Sequence, residues 1–179
     1  MAEGLTGKRG FYWALYAALA FVLFFLNLLP LETTPRAWAA PDLLLALTIA
    51  WALRKPDYTP AILVGAVFLL ADFLYQRPPG LYALVVVLGL EFLRSRAPDL
   101  RNAPFVFEWF VVALTVTGIT LLHRVAHAVA FLDQPDLTLT VVQTLMTLLT
   151  YPLVVLASHY LFGIRARVPG KLDDRGISL

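Results

Sequence analysis

The sequence contains no cysteine among its 179 residues. Disulfide bonds, thiolate metal ligands and cysteine nucleophiles are therefore excluded for this chain. Charge is also scarce, because only 15% of the residues are Asp, Glu, Lys or Arg, against about a quarter in soluble domains. The sequence also lacks a Gly-rich phosphate loop, a G-x-S-x-G elbow and paired carboxylates in a soluble cleft. We therefore expect a protein that is not an enzyme and that carries neither a cofactor nor a metal.

Apolar residues dominate instead. They make up 60% of the chain, and the mean hydropathy is +0.76. Such a chain cannot hide its apolar surface from water, so the composition predicts a polytopic membrane protein. The net charge of +2 does not point to nucleic acid, because the basic residues form short clusters between long apolar runs. We expect an all-α fold, a six-helix transmembrane bundle in a single domain over residues 1–179.

Six apolar runs are separated by short polar connections. The run from residue 11 to 29 is longer than the 7–15 apolar residues of a signal peptide, although Ala37-Trp38-Ala39 is similar to a cleavage site. The second run is short for a crossing, so we extend it back to residue 38, with Trp38 and Trp51 at interfacial depth. Pro79 is placed in the first turn of the fourth helix. The predicted spans are 11–29, 38–53, 61–75, 79–93, 105–127 and 137–163, the last interrupted at Pro152, followed by a short cytoplasmic tail over 164–179.

The second and third runs allow an alternative, a re-entrant hairpin that enters and leaves the membrane from one side. The distribution of basic residues favours two full crossings, because Arg54 and Lys55 lie at the tip between them. With six crossings, eleven basic residues fall on the cytoplasmic side and three outside, which accounts for all fourteen. The eleven are Lys8, Arg9, Arg54, Lys55, Arg94, Arg96, Arg101, Arg165, Arg167, Lys171 and Arg175; the three are Arg36, Arg77 and Arg124. Both termini are then cytoplasmic.

Few charged residues lie near membrane depth. Asp42, Asp72 and Arg77 come together at the outer ends of spans two and three, where we interpret them as a structural clamp, with a substrate or proton site as the alternative. Glu91 and Arg94 are three residues apart on one helix face and can pair. Glu108 enters from the same inner side. Together with Glu91, Arg94, Arg96 and Arg101, it forms either a docking surface or a set of interfacial charges that reach water.

His123 and His127 are four residues apart and share a helix face, as two metal ligands would. Arg124 lies between them and would repel a divalent ion, so we interpret them as interfacial histidines. Threonines of span five, between residues 115 and 120, and Gln143, Thr144, Thr147 and Thr150 of span six predict polar contacts between these two helices.

Several of these residues also carry a family resemblance. The motifs are Pro41-Asp42-Leu43-Leu44-Leu45-Ala46-Leu47, Trp51-Ala52-Leu53-Arg54-Lys55-Pro56, Asp72 with Arg77-Pro78-Pro79-Gly80-Leu81, and Glu91-Phe92-Leu93-Arg94. In this order and spacing, over residues 38–96, the chain resembles the rod-shape-determining protein MreD family. Tyr151-Pro152-Leu153 and Pro169-Gly170 extend the resemblance more weakly.

The resemblance implies a non-enzymatic inner-membrane scaffold of the bacterial elongasome, the machinery for lateral peptidoglycan synthesis and cell shape. Its partners would be the bitopic protein MreC and, indirectly, MreB, RodA and a class B penicillin-binding protein. It also implies a helix arrangement similar to the substrate-binding components of energy-coupling-factor vitamin transporters. The expected scaffold or contact residues are Pro41, Asp42, Asp72, Arg77, Pro78, Gly80, Glu91 and Arg94. The alternative is a small solute-binding or transport subunit, which predicts an outer cavity lined by a few convergent polar groups.

Overall fold

The computed structural model describes residues 2–29, 39–100, 103–134 and 136–162, with side chains from residue 7 onwards. Within these ranges the chain is helical and has no β-strand. The α-helices are α1 (Ala2–Leu28), α2 (Leu43–Arg54), α3 (Ala61–Leu74), α4 (Leu81–Leu100), α5 (Phe105–Val129) and α6 (Leu137–Phe162), with a 3₁₀ turn at Pro56–Tyr58. The predicted all-helical class is therefore confirmed.

Three of the helices have the length and hydropathy of membrane spans: α1 over Gly7–Leu28, α5 and α6. Helices α2 and α3 are apolar but have only 12 and 14 residues. At 1.5 Å per residue they are about 18 and 21 Å long, against about 30 Å of hydrocarbon. The structure thus describes a membrane-embedded helical protein in which short helices pack among long ones.

Helix α2 begins five residues later than expected. The prediction of a span from residue 38 is wrong for residues 39–42, which are not helical. Asp42 ends the non-helical stretch as an N-cap, since its Oδ1 accepts a hydrogen bond from the Leu45 amide at 2.9 Å. A carboxylate at this position satisfies a backbone donor that has no partner within the helix. Trp51, which we predicted at interfacial depth, lies near the end of α2 with its side chain fully buried within the protein.

Helices α4 and α6 are more continuous than expected. Helix α4 begins at Leu81, after the Pro78–Gly80 turn, so Pro79 does not belong to its first turn. It ends at Leu100 rather than at residue 93, so most of the predicted loop after Arg94 is helical. Helix α6 passes through Pro152 without interruption, which membrane helices tolerate where neighbouring groups satisfy the backbone. The predicted tail over 164–179 lies outside the described residues.

Helix α2 is the centre of the bundle. Every residue from Leu44 to Arg54 is buried, and the helix contacts α1, α4 and α6. Its apolar side chains surround the helix, a pattern typical of helices buried on all sides. The Trp51 ring lies against aromatic rings of α1 and α6, Tyr12, Tyr16 and Phe162. Because α2 is buried on all sides, the polar residues at its two ends, Asp42 and Arg54, are held between the surrounding helices.

Helices that follow one another along the chain run in opposite directions, which gives the bundle two distinct ends. We call them the aspartate end, which contains Asp42 and Asp72, and the arginine end, which contains Arg54 and Arg94. Contacts define each end: Tyr82 bonds Asp42 at the first, and Arg94 bonds the Thr59 carbonyl at the second. The outward faces of the long helices expose apolar side chains, among them Phe21 and Phe25 of α1, Leu114 of α5, and Leu145, Leu149, Leu153 and Leu156 of α6.

Candidate functional site

At the aspartate end, Asp42 joins three helices. Its Oδ2 accepts a hydrogen bond from the Tyr82 hydroxyl of α4 at 2.7 Å, while its Oδ1 caps α2. Its backbone amide donates to Oγ1 of Thr147 in α6 at 2.8 Å. Each carboxylate oxygen thus has one protein donor and retains capacity for another. Asp42 therefore acts as a clamp between α2, α4 and α6.

Asp72 closes the turn between α3 and α4. Its side chain is fully buried, and Oδ2 accepts hydrogen bonds from the amides of Gly80 at 3.0 Å and Ala83 at 3.3 Å. A carboxylate here faces the positive N-terminal end of α4, which stabilises it. Gly80 has φ +85°, a conformation that residues with a Cβ rarely adopt. Asp72 and Gly80 together set the angle at which α4 starts.

Arg77 reaches the two aspartates indirectly. Its guanidinium carbon lies 5.3 Å from the centre of the Tyr75 ring and 5.0 Å from that of Tyr82. These are cation–π distances. Within the described ranges Arg77 forms no ion pair within 4 Å with either aspartate. The predicted cluster therefore exists at one end of the bundle, but Tyr82, which the sequence analysis missed, connects its members.

Two cavities open beside this cluster. One has a volume of about 470 Å³ and lies between α1, α2, α3 and the start of α6, with Phe68, Ala71 and Leu74 among its apolar lining. The other, of about 100 Å³, lies between α2, α4, α5 and α6. Five residues line both cavities: Asp42, Arg77, Tyr82, Thr140 and Gln143. The aspartate end thus combines a few polar groups with an apolar wall, an arrangement found in small-molecule sites.

The histidines of α5 belong to the smaller cavity. The rings of His123 and His127 are 4.4 Å apart, and His123 lies edge-on to Tyr82 at 5.1 Å. His127 is 6% exposed. The His127 side chain is therefore packed against protein groups, and its Nδ1 lies 3.2 Å from the Asp133 carbonyl oxygen. Within the described residues no group of three or more His, Cys, Asp or Glu is placed to hold a metal ion.

The predicted polar contacts between α5 and α6 are confirmed in part, since Thr120 meets Thr144, whereas the hydroxyls of Thr115 and Thr150 donate to carbonyls of their own helices. Thr120 and Thr144 lie 3.3 Å apart between their hydroxyl oxygens, and Arg124 donates to Thr140 at 3.0 Å. Near the other end, the Trp109 indole donates to the Leu148 carbonyl at 3.0 Å. Thr147 differs, since its hydroxyl oxygen bonds Asp42 of α2 instead.

The arginine end contains a buried ion pair that sequence analysis missed. Arg54 Nη2 and Glu108 Oε1 lie 2.9 Å apart, with side chains 7% and 14% exposed. Tyr151 donates to the same carboxylate oxygen at 2.8 Å. Arg54 also donates to the Ala50 carbonyl at 3.2 Å. Glu108 is therefore engaged in joining α2, α5 and α6, which contradicts its placement on a docking surface with Arg94.

Glu91 and Arg94 form the predicted intrahelical pair on α4. Arg94 also donates to the Thr59 carbonyl, so it links α4 to the loop before α3. At the same end, Asp57 bonds Arg9 at 3.4 Å and accepts from the Trp13 indole through its carbonyl at 2.8 Å. These contacts attach the turn between α2 and α3 to α1 and α4.

The eight residues singled out from the sequence thus divide into two groups. Six lie at the aspartate end: Pro41, Asp42, Asp72, Arg77, Pro78 and Gly80. Glu91 and Arg94 lie at the arginine end. Their geometry is that of helix caps and interhelical links. Comparisons of the chain with protein-family models, with curated proteins and with solved structures found no match.

Proposed function

We propose that this chain is a non-enzymatic scaffold of the bacterial elongasome in the inner membrane, of the MreD type, that binds an MreC-like bitopic protein. One observation carries the proposal: most of its charged groups at membrane depth are engaged between its own helices, while the outward helix faces are apolar. Asp42 and Arg54 are examples of charged groups engaged between helices. The exposed leucines of α6, which include Leu149 and Leu153, are an example of an apolar outward face. Such a protein offers lateral packing surfaces for another transmembrane helix.

Through its MreC-like partner the scaffold would couple MreB, RodA and a class B penicillin-binding protein to lateral wall synthesis. The resemblance over residues 38–96 supports this assignment, since six of its eight key residues form one cluster that fixes α2, α3 and α4 relative to each other. A rigid arrangement of helices presents the same surface to a partner each time. The scaffold would therefore bind its partner through the fixed shape of its outward helix faces.

Co-purification from detergent tests partner binding. Tryptophan would replace one exposed apolar residue on each long helix: Phe21 of α1, Leu114 of α5 and Leu149 of α6, which are 69%, 61% and 62% exposed. We expect one substitution to reduce the amount of MreC-like protein recovered, and the other two to act as matched controls for insertion and folding. Full recovery with all three variants would contradict the proposal.

We further propose six crossings with both termini in the cytoplasm. Within the described residues the arginine end holds Lys8, Arg9, Arg54, Lys55, Arg94 and Arg96, and the aspartate end holds Arg77 and Arg124, as the positive-inside rule expects. Single cysteines at Ser95 and Asp133, both exposed, test this in a chain with no cysteine of its own. In intact cells an impermeant maleimide should label Asp133→Cys and not Ser95→Cys. Labelling of Ser95→Cys would reject the orientation.

A second candidate function is a small solute-binding subunit similar to the substrate-binding components of energy-coupling-factor transporters. The specific observation in its favour is the cavity of about 470 Å³ at the aspartate end, a volume within the range of small-molecule sites. A solute that raises thermal stability in detergent, in the absence of any MreC-like protein, would favour this candidate.

A further inference from the structure

The smaller cavity at the aspartate end contains unsatisfied hydrogen-bonding groups. Five buried side-chain atoms in the described part of the chain have no hydrogen-bond partner: Thr59 Oγ1, Asp72 Oδ1, Arg94 Nε, His123 Nε2 and His127 Nε2. Of these residues, only the two histidines line one of the two cavities. A buried polar atom without a partner costs free energy, and one that belongs to a residue lining a cavity points to a missing partner there.

The tautomer of His127 follows from its other ring nitrogen. Nδ1 lies 3.2 Å from the Asp133 carbonyl oxygen, which can only accept a hydrogen bond. Nδ1 therefore carries the hydrogen, and Nε2 of the neutral ring presents a lone pair. This lone pair requires a donor, and none of the described residues supplies one.

The remaining wall of the cavity is also rich in acceptors. The hydroxyl hydrogens of Thr120 and Thr144 are used in bonds to carbonyls four residues earlier, so their oxygens can only accept. The oxygens of Thr140 and Thr147 already accept from Arg124 and from the Asp42 amide. Asp42 adds a carboxylate. A simple cation would satisfy these acceptors, but Arg77 and Arg124 line the same cavity and oppose a net positive charge. The wall is complementary to a ligand that joins an N–H donor to an anionic group.

We propose that this cavity binds a primary ammonium that lies next to a carboxylate or phosphate, with the ammonium at His127, His123 and Asp42 and the anionic group at Arg77. The cavity of about 100 Å³ has the volume of roughly three water molecules, which suits a small zwitterionic group. Two sources share this chemistry: a free amino acid, and the headgroup of phosphatidylethanolamine, whose tails would extend through the adjoining larger cavity. The inference goes beyond the scaffold function and does not depend on it.

Methylated counterparts provide the test, because a quaternary ammonium keeps its charge but has no N–H. In a buffer without primary amines, glycine and alanine would be compared with glycine betaine by thermal unfolding of the full chain in detergent. Retention of phosphatidylethanolamine would be compared with that of phosphatidylcholine by native mass spectrometry. We expect one primary amine to be preferred clearly over its methylated counterpart, and the arm that shows this preference identifies the source.

His127→Phe then assigns the preference to the cavity. The variant removes the lone pair and keeps a ring of similar size, so binding of the preferred primary amine should weaken about tenfold or more. His159→Phe, at the other end of the bundle on α6, is the matched control and should bind as the wild type does. His123→Phe serves as the second variant where His127→Phe is not monodisperse.

Three results would overturn the inference. The first is equal binding of primary and quaternary amines, or binding of neither. The second is an unchanged preference in both histidine variants. The third is histidine-dependent binding of Zn²⁺ without any preference for amines, which would make the cavity a metal site. None of these results affects the scaffold proposal, which depends on recovery of the MreC-like partner.

Discussion

Removal of one partner from the buried ion pair at the arginine end should destabilise the protein strongly. Glu108→Ala leaves Arg54, which is 7% exposed, with its charge uncompensated, and it deprives the Tyr151 hydroxyl of its acceptor. Breaking a buried pair in this way costs about 3–5 kcal/mol. Arg54 keeps its bond to the Ala50 carbonyl at 3.2 Å. We therefore expect a loss of about 3 kcal/mol, at the lower end of that range.

Thermal unfolding in detergent measures this loss. For a chain of this length about 3 kcal/mol corresponds to a decrease in Tm of roughly 6–12 °C. Asp57→Ala is the matched control, because it breaks an ion pair with Arg9 whose side chains are 55% and 47% exposed. An exposed pair contributes about 0.2–1 kcal/mol, so its Tm should decrease by no more than about 4 °C.

The double variant Arg54→Met with Glu108→Leu separates the cost of an unpaired charge from the value of the pair. Apolar residues of similar volume often replace a buried ion pair without loss. The double variant combined with Tyr151→Phe, which removes the hydroxyl that donates to Glu108, should therefore unfold within about 1 kcal/mol of the wild type. Glu108→Ala and Arg54→Met alone should each be less stable than the double variant. The reasoning is refuted when Glu108→Ala is no more destabilising than Asp57→Ala, or when the two single losses simply add.

Two further predictions concern α4. Gly89→Leu should destabilise the protein by about 1–3 kcal/mol, because a Cβ at Gly89 would lie 2.6 Å from Cδ1 of Ile119 on α5. Adding Ile119→Ala to this variant should restore part of the loss in Tm. Gly118→Ala is the control and should not lower the Tm, because the space around its Cβ is open. Asp72→Asn keeps an oxygen that accepts from the Gly80 amide and should be tolerated better than Asp72→Leu, which should cost about 1–3 kcal/mol; equal Tm values for the two would contradict the capping role.

The helical class and the grouping of charges could be predicted from sequence, because both depend on local properties. Apolar runs separated by short polar connections identify helices in lipid without reference to tertiary contacts. The N-cap role of Asp42 is also local, since an aspartate before an apolar run is a helix-start signal. The predicted span nevertheless began at residue 38 rather than at Leu43, because a full membrane crossing requires about 20 residues.

The buried ion pair was missed because it joins residues 54 positions apart. Whether Arg54 faces water or protein depends on the packing of α2 between other helices. One signal was present: α2 is apolar on all sides, which is typical of a helix with no exposed face, and Arg54 in its last turn must share that burial. Tyr82 carried no comparable signal, since a tyrosine near a helix start is equally compatible with a position at the membrane interface.

Both ends of the bundle contain buried polar atoms without a partner among the described residues, but only at the aspartate end do such atoms belong to residues that line one of the two cavities. At the arginine end Glu108 receives donors from Arg54 and Tyr151 on one oxygen, so three helices are held by groups that already have partners. At the aspartate end Asp42 and Tyr82 hold α2 to α4 in the same way, yet the cavity beside them is lined by His127, whose Nε2 has no partner among the described residues. A structural link gains stability only when its polar groups are satisfied, so packing of α5 against α6 does not by itself account for a histidine at this position. The arginine end therefore explains how the helices are held, and the aspartate end is where a ligand would add to the stability of the bundle.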